Sequence, residues 1–331
     1  MSAVSGQLSR RARPAPRSVL GRTFRRNVPA RVGAVLISLY VAVALLAPVL
    51  APPQGNCRRA LNLTDTQTVP GPMAYLRELV APPDACLQMP RQGFAAQPKP
   101  PTPDTPLGSV GGYDIRYGLV WGTRTAFFLG LTIVALTVAL GGVIGLAAGF
   151  FGGLLDDILM RLTDVTFAFP GLILVLVLVA ALGPGLQNII IALSLVSWAG
   201  LARLLRSEVL RLRELDYVAA ATSLGSPRLR TALRHVLPNA LGPVLSIVVL
   251  EMGSLPIVAG ALSFLGLGTP LGFADWGQLI ALAQQWIQGP PGAPFAYWYV
   301  TLFPGLCIAL YSLGWNLLGD ALGEQLDPRN R

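Results

Sequence analysis

The stretch "LDYVAAATSLGSPRLRTALRHVLPN", residues 215–239, is polar and rich in arginine, yet strongly apolar segments flank it on both sides. Its local signals are those of two short helices and a tight turn. Tyr217, Ala220, Ala221 and Leu224 recur at helical spacing and make one small apolar face. The alanines favour helix and leave no bulk, so another backbone can approach closely. Gly225 supplies the helix-ending position that tolerates a left-handed backbone. Ser226 is placed to cap the next helix, with Pro227 in its first turn, and that helix is expected to stop at Pro238. The pattern predicts a rigid helix–turn–helix bracket, residues 207–239, projecting from its two apolar neighbours.

Those neighbours are too apolar for a soluble core. Of 331 residues, 53% are hydrophobic and 12% charged, about half the charged share of an ordinary soluble domain. The mean hydropathy is +0.58. Six runs are long enough to cross roughly 30 Å of hydrocarbon: 32–51, 119–149, 158–182, 186–205, 241–268 and 297–319. The first follows a basic, acid-free segment, 1–31. It exceeds the 7–15-residue apolar region of a signal peptide and is read as an uncleaved span. Residues 52–117, rich in proline and glycine, form the largest polar insertion, 118–319 holds five further spans, and 320–331 is a short tail. The expected fold is an all-α integral membrane protein of six transmembrane helices.

Arginine placement sets the expected orientation, because short cytoplasmic loops carry excess Lys and Arg. The N-terminal segment is basic, and with six spans the 206–240 segment falls on the same side with Arg206, Arg211, Arg213, Arg228, Arg230 and Arg234. The tail agrees through Arg329 and Arg331, whereas 183–187 and 269–296 contain no Lys or Arg. Both termini and the bracket are therefore expected in the cytoplasm, with the chain in contact with lipid throughout. The net charge of +9 then reflects topology rather than one folded basic domain, which argues against a nucleic-acid partner. A DNA-reading helix-turn-helix tethered at both ends beside a bilayer has little freedom to enter a groove. That leaves a plain connector or a docking element for a soluble partner, and the small face, glycine turn and capped second helix together favour docking.

Other residues stand out singly. Cys57 and Cys86 both fall in the outward insertion, where disulfides persist; a bridge between them would close a loop of about 30 residues and stabilise it by roughly 2–4 kcal/mol. Two unpaired thiols in a loose loop are the alternative. Cys307, inside the sixth run, reads as a small buried apolar residue. With three cysteines and one histidine, a multi-ligand zinc site has too few donors. Glu251 lies mid-span, where a carboxylate is costly and marks a functional position by default: it either faces a transport pathway or bonds structurally to a neighbouring helix. Asp157, Arg161 and Asp164, at i+4 and i+3 spacing, are expected to form a structural charge ladder along one helix. Pro170 and Pro256 are expected to kink the third and fifth spans.

The opening stretch resembles the EAA signature of bacterial ABC-importer permeases. The matching positions are Ala219, Ala220, Ala221, Gly225, Leu237 and Pro238, with Ala219 standing where glutamate is usual. The sequences around it, "DYV" and "RHVLPN", are similar to the dipeptide/oligopeptide/nickel branch in its C-subunit type. Further motifs match in order: "GGLLDDILMRLTDVTFAFPG" (152–171), "ALSFLGLG" (261–268) and "FPGLCIALYSLGWNLLGDALGEQLDP" (303–328). Residues 106–124 resemble a degraded opening motif through Gly108, Gly112, Asp114, Gly122 and Arg124, with Tyr113 replacing an arginine.

The resemblance implies a type I importer permease (MetI-like) fold with a cytoplasmic coupling helix around Ala219–Gly225. It implies a non-enzymatic subunit in a bacterial inner membrane, paired with a homologous B-type permease, two cytoplasmic ATPases and an extracytoplasmic binding protein that delivers peptide. ATP and Mg would sit on the ATPases, with no cofactor in this chain, which itself has no G-x-x-x-x-G-K-[ST] phosphate loop. The same machinery importing nickel or another small solute is an alternative. An ATP-independent transporter or channel is a further rival, although such proteins usually carry internal repeats or several intramembrane polar sites. An intramembrane enzyme would need a paired catalytic arrangement that does not stand out here.

Overall fold

The computed structural model describes residues 27–63, 83–91, 93 and 97–326; the basic segment 1–26, most of the tail and much of the insertion lie outside the described residues. The first span is α1 (Val28–Leu45), which breaks at Leu46 before the short α2 (Ala47–Leu50). The insertion contributes α3 (Gly55–Ala60), α4 (Asp84–Leu87) and a two-stranded hairpin, β1 (Ser109–Val110) with β2 (Tyr113–Asp114). The long α5 (Ile115–Phe151) starts where the Asp114 carboxylate accepts the Arg116 N–H at 2.8 Å, an N-cap that the hydrophobic run alone placed later. Then come α6 (Gly153–Phe167), α7 (Gly171–Leu182), α8 (Leu186–Arg213) and α9 (Asp216–Ser223). After α10 (Arg228–Thr231), α11 (Leu237–Phe264), α12 (Trp276–Ala283) and α13 (Trp298–Leu326) complete the chain.

Glycine sets how these helices meet. Gly141, Gly145 and Gly149 form a stripe at i+4 spacing on α5, and a Cβ on them would strike the carbonyl oxygens of Trp198, Ala202 and Arg206 on α8, at 2.7, 2.5 and 2.9 Å. Both numbers climb together, so α5 and α8 run parallel with their backbones almost touching, as small residues allow in membranes. Gly253 of α11 meets Ser312 of α13, and Gly319 of α13 meets Leu250, so this pair is antiparallel. Gly33 of α1 packs on the Gly314 carbonyl of α13. Asn27 donates to Glu324, which brings the two described ends of the chain together.

The parallel pairing of α5 and α8 settles how to count the third span. The chain leaves α5 at one end and must enter α8 at the other, where Gly185 N–H reaches the Gly268 carbonyl. The α6–α7 pair makes that return crossing. The sequence predicted one kinked helix over 158–182, and the structure corrects this: the two halves are bent 84° apart. Pro170 is not inside a helix but immediately precedes α7, because its ring and missing N–H end the ladder there. Halves of 15 and 12 residues, about 22 and 18 Å long, are each too short for the bilayer. Five long apolar helices plus this bent pair give six crossings, an all-α membrane permease architecture. By contrast, α11 runs on through both Pro243 and Pro256.

Past α2, the insertion folds over the end of the bundle where α5 begins. Indole and guanidinium donors of α5 reach back to the first span: Trp121 to the Ala51 carbonyl at 3.0 Å and Arg124 to that of Ala44 at 2.7 Å. Cys57 and Cys86 are joined by a disulfide and lie in a buried cluster with Tyr117, Trp121, Trp276 and Tyr311. Backbone bonds from Met89 to Gly272 and from Ala274 to Leu87 lace this cap to the segment before α12.

Candidate functional site

At the opposite end, α8 and α11 extend well past the expected spans and leave only α9 between them. The α9 helix is anchored by one side chain, Val218, which is buried with Leu212, Val236 and Ala240. It ends in a Schellman arrangement: Ser226 N–H bonds the Ala221 carbonyl at 3.1 Å and Gly225 N–H that of Thr222 at 2.9 Å. Gly225 takes φ +82°, with open space where a side chain would point. That geometry fixes the angle at which α9 meets the next helix.

Two local expectations fail here. Ser226 does not cap the following helix; its Oγ accepts from the Thr231 hydroxyl at 3.0 Å, and the Pro227 carbonyl accepts the first helical N–H, from Thr231. Its place as the second residue beyond the helix end, committed to the Schellman bond, removes it from the capping geometry. Nor does the second helix stop at Pro238. A π turn, Ala232–Val236, joins α10 to α11 and makes one continuous 37-residue helix, Arg228–Phe264. The wider turn sends the Leu237 N–H to Ala232, five residues back, so the chain absorbs a proline with no N–H without breaking. The Asn239 side chain donates to the His235 carbonyl at 2.6 Å.

The face proposed from sequence points outward. Tyr217, Ala219 and Ala220 are exposed, Ala221 is half-buried, and Leu224 is 89% exposed at the tip. Pro227 is exposed beside it and Ser226 is partly covered. A bare leucine and alanine surface at a rigid turn, held between two long helices, can receive a groove and transmit its movement.

The charge ladder is replaced by pairs between helices. Among the described residues, Asp157 and Arg161 share no ion pair; Asp164 instead meets Arg203 of α8 at 2.8 Å, and Asp156 meets Arg206 at 2.6 Å through both guanidinium donors. Parallel α5 and α8 bring the start of α6 against the last turns of α8, which i+4 spacing along one helix does not register. Arg213 donates to the Gly149 carbonyl at 3.0 Å and so caps the end of α5.

Glu251 sits half-buried in the middle of α11, between Leu250 and Met252, which pack on α13 and α5. Its Oε2 is buried with no hydrogen-bond partner among the described residues. Cys307 is only partly buried, because its place on α13 is set by the Tyr40 hydroxyl, which donates to its carbonyl at 2.8 Å. A residue that the sequence reading passed over is Asp275. It caps α12 and accepts from Ser263 at 2.7 Å, Thr269 at 3.2 Å and the Gly277 N–H at 3.2 Å. Burial pushes its carboxyl above the usual range, against those donors. The spacing Asp275 to Gln278, a capping-box pattern before an apolar run, was the signal that could have found it.

Residues 141–331, well over half the chain, match the family model of the binding-protein-dependent transport system inner membrane component. The chain belongs to this permease family. Residues 18–67 match the N-terminal TM domain of oligopeptide transport permease C. Among curated relatives, the dipeptide transport system permease protein DppC of Alkalihalophilus pseudofirmus is 37% identical over 66% of this chain and 69% of its own. The oligopeptide transport system permease protein OppC of Bacillus subtilis is 30% identical over 93% and 88%. The DppC of Haemophilus influenzae is 32% identical over 92% of each. These relatives are permease subunits of transport systems rather than enzymes, and this permease is likewise a multi-pass membrane protein whose six crossings and α9 turn belong to one transport architecture.

Proposed function

We propose that this permease forms, with a homologous B-type partner, the translocation pathway of an ATP-driven importer for di- or oligopeptides handed over by an extracytoplasmic binding protein. Relatives named for dipeptide and oligopeptide transport support the cargo class. Two cytoplasmic ATPase subunits bind ATP and Mg and supply the energy, one of them seated on α9. The membrane is the bacterial inner membrane, with both termini and α9 on the cytoplasmic side; the arginine-rich α8–α11 end, lying together with both chain ends, supports this orientation.

The single observation that carries the coupling role is the exposed turn itself. Leu224 and its alanine neighbours occupy a tethered eight-residue helix whose apolar side covers nothing in the chain. Leu224→Glu and Gly225→Arg should insert into the membrane at normal levels and lose ATP-coupled peptide uptake. Gly225→Asn, which tolerates a left-handed backbone, should keep it. Normal uptake in proteoliposomes for both Leu224→Glu and Gly225→Arg would refute the coupling role.

A further inference from the structure

The arginines at the α9 end fall into two groups. Those on α8 are all engaged: Arg203 with Asp164, Arg206 with Asp156, Arg211 with Glu208, and Arg213 with the Gly149 carbonyl. Arg228, Arg230 and Arg234, at the foot of the long helix, are exposed, and among the described residues no acid or carbonyl meets their side chains. Interleaved with them, Leu229 and Leu233 are 59% and 49% exposed, next to Leu224 on the adjoining turn.

Helix length decides what can cover such a patch. The helix Arg228–Phe264 has 37 residues and is about 55 Å long, against a hydrocarbon thickness of about 30 Å. Its Phe264 end lies beside the Gly185–Gly268 contact where α8 begins, at the level of the opposite surface. About 20 residues from there reach the inner edge of the hydrocarbon near Leu245, so Leu233 stands about 18 Å beyond it, or about 17 Å at a 20° tilt. The headgroup layer is only about 5–8 Å deep on each side. Leu229 and Leu233 are therefore in water, not in lipid. Bare leucines in water, bordered by unpaired cations, match a protein surface that is apolar at its centre and acidic at its rim.

We infer that the foot of this helix, Arg228–Arg234, is a second contact with the ATPase subunit that α9 engages, seated on an apolar patch of that subunit bordered by carboxylates. The inference rests on the coupling role proposed for α9 and extends it. The π turn at Ala232–Val236 lies within the patch and keeps it continuous with the span, so the contact is mechanically joined to α11 as well as to the α9 turn.

The test uses the assembled importer in nanodiscs of neutral phosphatidylcholine, with ATPase retention measured on dilution at 50 and 300 mM NaCl. The triple variant Arg228→Gln/Arg230→Gln/Arg234→Gln should bind its ATPase about tenfold more weakly at low salt, as for three exposed ion pairs, and should lose most of the salt dependence shown by the unaltered complex. The corresponding triple lysine variant should retain binding. Unchanged retention and an unchanged salt response in the glutamine variant would overturn the inference. A defect seen only in nanodiscs with anionic lipid would overturn it too, and would assign the arginines to headgroups. Leu224→Glu, run in parallel, separates the two ideas: retention lost there but intact in the glutamine variant refutes this contact alone, whereas retention intact in both refutes the coupling role as well.

Discussion

Replacing Gly145 by alanine places a methyl group 2.5 Å from the Ala202 carbonyl oxygen, 3.0 Å from the Leu205 Cβ and 3.1 Å from the Ala202 Cα. None of these is the free end of a flexible side chain, so α5 and α8 must separate by roughly half an ångström or more to reach ordinary contact. Gly141 and Gly149 share the same seam, and the separation thins packing along its whole length. Overpacking of this kind costs about 1–3 kcal/mol, against a gain of at most about 1 kcal/mol from replacing a helical glycine. The neighbouring Gly142 has nothing within 4 Å of its would-be Cβ, so Gly142→Ala should collect that gain without the cost. The two substitutions, three positions apart on one helix, are thus expected to shift stability in opposite directions. Unfolding of the purified permease followed by tryptophan fluorescence, with detergent denaturant as the variable, reads both. Equal shifts of the same sign would mean that α5 and α8 are not in backbone contact.

Asp156→Ala and Arg206→Ala should each lower stability by about 1 kcal/mol for a partly exposed, two-donor pair, and the exchanged pair Asp156→Arg/Arg206→Asp should recover part of it; a double-mutant cycle with no coupling would discard the pair. Glu251→Gln should keep assembly and ATPase activity while reducing transported peptide per ATP several-fold, and unchanged uptake would end the case for Glu251 as a pathway residue. The buried Asp275 carboxyl titrates above its unfolded value, so the native state holds the proton more tightly and stability should fall as pH rises from the ordinary carboxylate range toward the raised one. Asp275→Asn should flatten that slope in thermal unfolding measured from pH 4 to 8; an unaltered slope would place the titration elsewhere.

The parts of this fold that were legible in the sequence are those encoded locally. Apolar runs gave the crossings because hydrocarbon imposes length and composition on each span separately. The Tyr217–Gly225 segment was legible because a Schellman ending depends on a few consecutive residues. What the sequence hid depends on which helices become neighbours. Asp164 has an arginine three residues before it, yet its partner is Arg203, because the parallel docking of α5 and α8 decides who stands opposite. Pro170 and Pro238 carry the same local signal and end differently. At Pro170 nothing bridges the missing N–H and the crossing breaks; at Pro238 a π turn and the Asn239 amide take up the slack, and the helix continues. The difference lies in packing on Val218, Val236 and Ala240, which holds the chain straight only at the second site.

That packing also bears on how a push at α9 would spread. The bundle is divided into two tightly sealed groups: α5 with α8 along the Gly141–Gly145–Gly149 stripe, and α11 with α13 and α1 through Gly253, Gly319, Gly314 and Gly33. Contact between the groups is made by softer side chains, such as Met252 against Gly130, which adapt without a backbone clash. The α9 helix is attached to both, running out of α8 and into the continuous α10–α11 helix. Close-packed seams resist sliding while side-chain seams permit it, so a load delivered to α9 moves the two groups against each other before it deforms either one. The bent α6–α7 crossing sits outside both groups. Its inner half is held to α8 by Asp156 and Asp164 and its Pro170 break is free of the seams, which makes it the crossing best able to follow such a movement.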